Sequence, residues 1–142
     1  PLDDYIAKTY MSVAFVTHRY KLARDAALRF KPHNSKNDDS TPTRIYAYAN
    51  FHLGYYEETI DTLEAVQLAL DQDHDVAPLV YLAAAYQAIG HHEEARSLIK
   101  KIQSERPLFR PDLMGSIFLQ DPNEANFLIQ SLTEAGWPEL SD

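Results

Sequence analysis

Ala77-Pro-Leu-Val-Tyr-Leu-Ala-Ala-Ala-Tyr-Gln-Ala-Ile-Gly90-His-His-Glu-Glu-Ala95-Arg-Ser-Leu-Ile-Lys-Lys-Ile-Gln-Ser-Glu-Arg-Pro107 is two helices joined by a glycine turn. Leu79, Leu82, Ala83 and Tyr86 follow the i, i+3, i+4, i+7 spacing of one helix face. Ala95, Leu98, Ile99 and Ile102 continue the pattern on the far side of Gly90. Gly90 suits the left-handed residue that ends a helix, and Pro107 stops the second one. A turn this short makes the two helices antiparallel neighbours. Small Ala83 and Ala95 let their backbones approach, and Tyr86 and Ile99 fill the remaining gap.

The same grammar extends outward. Thr41-Pro42 opens a helix that Gly54 closes, and Asp121-Pro122-Asn123-Glu124 has the form of a capping box. Ala125, Leu128, Ile129 and Leu132 mark a last stripe, ended by Gly136 and Pro138. No two-residue alternation is sustained anywhere, so the spacing predicts an all-α chain. Helices are expected near 3–16, 19–31, 42–53, 57–70, 77–89, 92–105, 110–118 and 122–135. His33 to Ser40 and Asp71 to Asp75 read as polar loops.

Gly54 and Gly90 are 36 residues apart, and each is followed by two aromatic or histidine residues and then Glu-Glu. A period of this size in helix–turn–helix units implies a solenoid. The stretch from Ala77 to Pro107 resembles the tetratricopeptide repeat (TPR) family. Leu79, Leu82, Ala83, Tyr86, Gly90, Ala95, Ile99, Ile102 and Pro107 stand at its characteristic positions. The preceding unit keeps Tyr46, Ala47, Gly54, Leu63 and Val66, but Asn50 stands for a large residue and Thr59 for a small one. The first unit is degenerate, with His18-Arg19-Tyr20 where Gly-Arg-Tyr is common and Ala23, Ala27 and Phe30 behind it.

The resemblance implies a right-handed superhelical array of antiparallel helix pairs. One domain would span 1–142: a degenerate repeat at 1–32, repeats at 41–71 and 76–107, and capping helices at 108–138. Arg106-Pro107, Asp121-Pro122 and Ala135-Gly136-Trp137-Pro138-Glu139 further resemble the C-terminal TPR regions of bacterial class III cyclase-like and winged-helix regulator proteins. That likeness, and an initial Pro1, point to a piece of a larger cytoplasmic signalling protein.

The chain has 142 residues and no cysteine, which excludes disulfides, thiolate zinc sites and a cysteine nucleophile. The net charge of −8 divides into 8 Lys/Arg against 5 Asp/Glu in 1–54, and 5 against 16 in 55–142. The acidic total argues against nucleic acid and anionic membranes as partners. The basic run Arg19, Lys21, Arg24, Arg29 and Lys31, opposed by Asp25, reads as a solvated helix face. Asp71, Asp73 and Asp75 imitate the start of a calcium loop, but Val76 and Leu82 stand where glycine and glutamate are required. His91, His92, Glu93 and Glu94 lack the i, i+4 spacing of a zinc pair. Gly115-Ser116-Ile117 lacks the second glycine of a nucleophile elbow, and no phosphate-binding loop occurs.

No catalytic residue, metal or cofactor is therefore expected, and the chain reads as a protein- or peptide-binding module. Carried over from the family, the groove positions are Lys8, Ser12 and Phe15, then Arg44, Tyr48, Phe51 and His52, then Val80, Ala84, Gln87 and Ala88. Arg44, Tyr48 and His52 form an i, i+4, i+8 row. Chaperone-tail recognition is excluded because Ser12, Ala77 and Tyr81 replace the clamp residues. The alternative reading is an intramolecular spacer or a self-associating arm for an upstream cyclase or DNA-binding domain.

Overall fold

A computed structural model describes residues 2–30, 41–67, 76–109 and 122–137, side chains at 67 and 122–127 apart. The described residues are all helical in architecture: α1 (Leu2–Val16), α2 (Tyr20–Phe30), α3 (Thr41–His52), α4 (Tyr56–Gln67), α5 (Ala77–Ala88), α6 (His92–Glu105) and α7 (Pro122–Glu134). The helix expected at 110–118, the acidic Asp71–Asp75 stretch, Gly115-Ser116 and the Asp121 cap lie outside the described residues.

Each helix from α1 to α6 packs on its sequence neighbour, and the odd helices also pack on one another, α1 on α3, α3 on α5 and α5 on α7. The core is the interior of this arrangement. α5 lies against α3, α4, α6 and α7, so Ala77 through Ala85 is buried without interruption. A helix apolar on all sides can only be satisfied in such a place.

The turns repeat. His18, Gly54 and Gly90 lie 36 residues apart, with φ of 62°, 86° and 85°. Each N–H bonds to a carbonyl three residues back (Phe15, Phe51, Gln87) at 3.0–3.1 Å. Each following N–H bonds five residues back (Ala14, Asn50, Tyr86) at 2.8–2.9 Å. This is a Schellman ending, which satisfies carbonyls that a helix terminus leaves bare. Gly136 ends α7 in the same way. His18 therefore fills the glycine position of the first unit, and its ring Nδ1 lies 2.8 Å from the Tyr20 hydroxyl.

Burial recurs with the same interval. Met11, Ala47 and Ala83 are wholly enclosed, as are Ala23, Thr59 and Ala95. Thr59 departs from the small residue its position favours, yet its hydroxyl donates to the Ala47 carbonyl at 2.8 Å, so the extra polar atom is satisfied between helices.

Nothing lies within 4 Å of a Cβ built on Gly54 or Gly90, so alanine there meets only backbone strain. Gly54→Ala and Gly90→Ala are each expected to destabilise the chain by about 1 kcal/mol. Urea unfolding followed by circular dichroism measures this.

Candidate functional site

The row expected on α3 forms, and it sits in the middle of the α1–α3–α5 layer. Arg44, Tyr48 and His52 are each half-buried. Ser12 on α1 and Gln87 on α5 are half-buried as well, and Lys8 is exposed with its ammonium 2.9 Å from Asp4. Phe51, Val80 and Ala84 are fully enclosed, and Phe15 nearly so, which takes them off any groove surface. The reason is lateral packing: α1 packs on α3, α3 on α5 and α5 on α7. Ala88 is exposed.

An aromatic cluster holds the row in place. Tyr48 stacks on Tyr81 of α5, with ring centres 4.2 Å apart and planes inclined by 18°. His52 stacks on Tyr20 of α2 at 4.5 Å and 13°. Its Nε2 lies 2.8 Å from the Tyr81 hydroxyl. Phe15 of α1 lies 6.1 Å from Tyr48 and 5.8 Å from His52, and Phe51 meets both His52 and Tyr81 edge-on. His52 thus touches rings from α1, α2 and α5. Burial, helped by the nearby His18, pushes its pKa down from 6.5 to about 3. A neutral imidazole at the centre of packed rings ties helices together; it is held away from the range in which histidine exchanges protons near neutrality.

Two side-chain links run from one helix pair to the next. Arg24 on α2 reaches α3, where its guanidinium lies 5.5 Å from the Tyr46 ring centre and 5.4 Å from that of Tyr55. Its Nε donates to Oδ1 of Asn50, which is fully buried. Arginine has no acceptor, so the Asn50 amide orientation is fixed, and Nδ2 has no hydrogen-bond partner among the described residues. Asn50, a departure from the large residue of its position, is therefore the polar seat of Arg24. The second link is the Tyr86 hydroxyl, which donates to Glu64 of α4. Burial first, and then the Glu64 and Glu94 carboxylates, raise the Tyr86 pKa.

The basic run on α2 is consequently not one continuous patch. Arg19, Lys21 and Arg29 are exposed, but Arg24 turns inward; Lys31 lies outside the described residues. His91 stacks on Tyr86 and His92 pairs with Gln87, and no group of three metal-capable side chains occurs among the described residues. No helix among them is long and apolar enough to cross a membrane.

Sequence reasoning missed Tyr20 and Tyr81 as partners of the row. It also missed α1, which leaves Leu2, Tyr5, Ile6, Tyr10 and Val13 more than half exposed. The signal was present: α1 has only Asp3, Asp4 and Lys8 as charges, and apolar residues surplus to one stripe. Comparison with family models, curated proteins and solved structures finds no match to this chain.

Proposed function

We propose that the chain is a non-catalytic interaction module, a TPR-like right-handed solenoid that receives a peptide or helix along the layer of odd-numbered helices. The recurrence of one turn geometry at 18, 54 and 90 supports the repeat reading. The observation that carries the function is the partly buried row Arg44, Tyr48 and His52 on the middle helix of that layer, flanked by Ser12 and Gln87. An arginine beside aromatic rings on a rigid helix is the composition of interface anchors. On this reading the module serves a larger bacterial regulatory protein in the cytoplasm.

The test is peptide selection on the immobilised full chain, followed by titration of the selected peptide against variants. Tyr48 and His52 also hold the core, so Arg44→Ala and Ser12→Lys are the informative changes. Each is expected to weaken binding about tenfold, equivalent to about 1.4 kcal/mol. Glu93→Ala on α6 is expected to leave it unchanged. Selected peptides indifferent to Arg44→Ala and Ser12→Lys would remove the reading, as would a selection that yields no binder.

A further inference from the structure

The exposed apolar face of α1 is anomalous within its own repeat. Ile6, Tyr10 and Val13 are 54%, 53% and 52% exposed. Thirty-six residues on stand Pro42, Tyr46 and Ala49, and seventy-two on stand Pro78, Leu82 and Ala85; all six are buried. The later positions belong to helices that have a preceding helix packed on them, α2 on α3 and α4 on α5. On α1 the same positions are open, and the face has the chemistry of a helix socket. A groove of about 510 Å³ runs along it, shared with Leu22, Arg29 and Phe30 of α2, with the Asp3 and Asp25 carboxylates also in its lining.

We propose that this face is a self-association surface, closed by the same face of a second copy of the chain. Three observations select that occupant. The first is scarcity: among the described residues, every exposed large apolar side chain within a helix lies on α1 or α2, so no other described helix offers the face a match. A contact between this face on two copies is isologous, the same patch on both, and closes as a two-fold dimer. The second is area. The five exposed α1 side chains present on the order of 600 Å², and Leu22 and Phe30 bring this near the roughly 800 Å² that each partner buries in a stable interface. The third is charge. Asp3 lies at the start of α1, while Arg19 and Lys21 lie just past its end, all exposed. A two-fold axis across the middle of α1 runs the two copies antiparallel and sets the acidic end of each against the basic end of the other.

The surface is distinct from the Arg44–Tyr48–His52 row, so failure of either leaves the other standing. Sedimentation of the full chain from about 1 to 200 µM tests it, the micromolar range being typical of modest interfaces. A concentration-dependent species of two chains is expected. Ile6→Asp with Tyr10→Asp is expected to leave a monomer of unchanged helical content, because both positions are solvent-exposed in the single chain. Asp3→Lys alone and Lys21→Glu alone are each expected to weaken the dimer several-fold, and mixing the two variants to recover part of the loss. A chain monomeric throughout the range overturns the proposal. So does a dimer that survives Ile6→Asp with Tyr10→Asp, or a face that binds only an unrelated amphipathic helix. A mixture no stronger than either charge variant overturns the antiparallel arrangement.

Discussion

Replacing Tyr81 with alanine is expected to lower the unfolding free energy by about 3–5 kcal/mol, the range for deleting a large buried ring. Tyr81 is 1% exposed at the centre of α5. Its ring stacks on Tyr48, meets Phe51 at 5.4 Å and 84°, and meets His52 at 5.5 Å and 79°. Truncation opens a cavity between α3 and α5 and removes the hydroxyl that partners His52 Nε2. A domain of this size has a total stability of about 5–15 kcal/mol, so the variant sits close to the unfolding threshold. Tyr81→Phe keeps the ring and loses only the hydrogen bond, for which about 1 kcal/mol is expected. Urea unfolding of the three proteins checks both figures. Trp137, buried against Phe109 far from Tyr81 in sequence, supplies a fluorescence signal to set beside circular dichroism. Coincident transitions show that α1 to α7 unfold as one unit. An alanine variant within 1 kcal/mol of the parent would mean that the rings around Tyr81 do not hold α3 to α5.

Acid is expected to destabilise the chain through His52. In the folded protein its pKa is depressed from 6.5 to about 3 by burial, with a contribution from His18. Between those two values the unfolded chain holds a proton that the folded chain refuses. Stability therefore falls as pH drops through this window, by up to about 1.4 kcal/mol per pH unit, and the slope from His52 fades above it. The rings of Phe15, Tyr20, Phe51 and Tyr81 pack around the imidazole. Protonation would place a charge among them.

Carboxylates begin to titrate at lower pH, so the clean comparison is with His52→Gln between pH 6.5 and 5. Integrating over that interval, the wild-type chain is expected to lose about 1.6 kcal/mol relative to the variant. Parallel stability curves would show that the folded chain accepts a proton at His52 as readily as the unfolded one.

The first unit shows how much of the fold was legible and where legibility stopped. Its sequence lacks the turn glycine, yet its turn has the geometry of the other two, with His18 left-handed and bonded as Gly54 and Gly90 are. Position in the repeat prescribes the conformation, and a local side-chain contact to Tyr20 makes a non-glycine residue tolerable there. Asn50 and Thr59, both departures from the pattern, take partners from other helices: Asn50 Oδ1 accepts from Arg24, with Nδ2 unpartnered among the described residues, and the Thr59 hydroxyl donates to the Ala47 carbonyl. A pattern of residue sizes has no place for a compensation that arrives from twelve or twenty-six residues away.

The candidate site divides along the same line. That Arg44, Tyr48 and His52 share a face follows from a 3.6-residue period alone. That Phe51, one residue earlier than His52, belongs to the core depends on α5 lying beside α3 with Tyr81 against it. Val80 and Ala84 are enclosed for a like reason, because α5 is flanked by helices on every side.

Local sequence sufficed for the helices, to within one residue at every expected end that falls among the described residues, for the turns between paired helices and for the all-α class. Apolar period, helix-stopping proline and left-handed glycine act within one or two turns of chain and need no distant partner to operate. Tertiary structure alone decided which apolar stripes are core and which are surface. The α1 stripe of Ile6, Tyr10 and Val13 reads much like that of α3 or α5, but it is exposed because no helix among the described residues lies over it. It decided equally that His52 is neutral, since desolvation depends on Tyr20, Phe15 and Tyr81 arriving from three other helices.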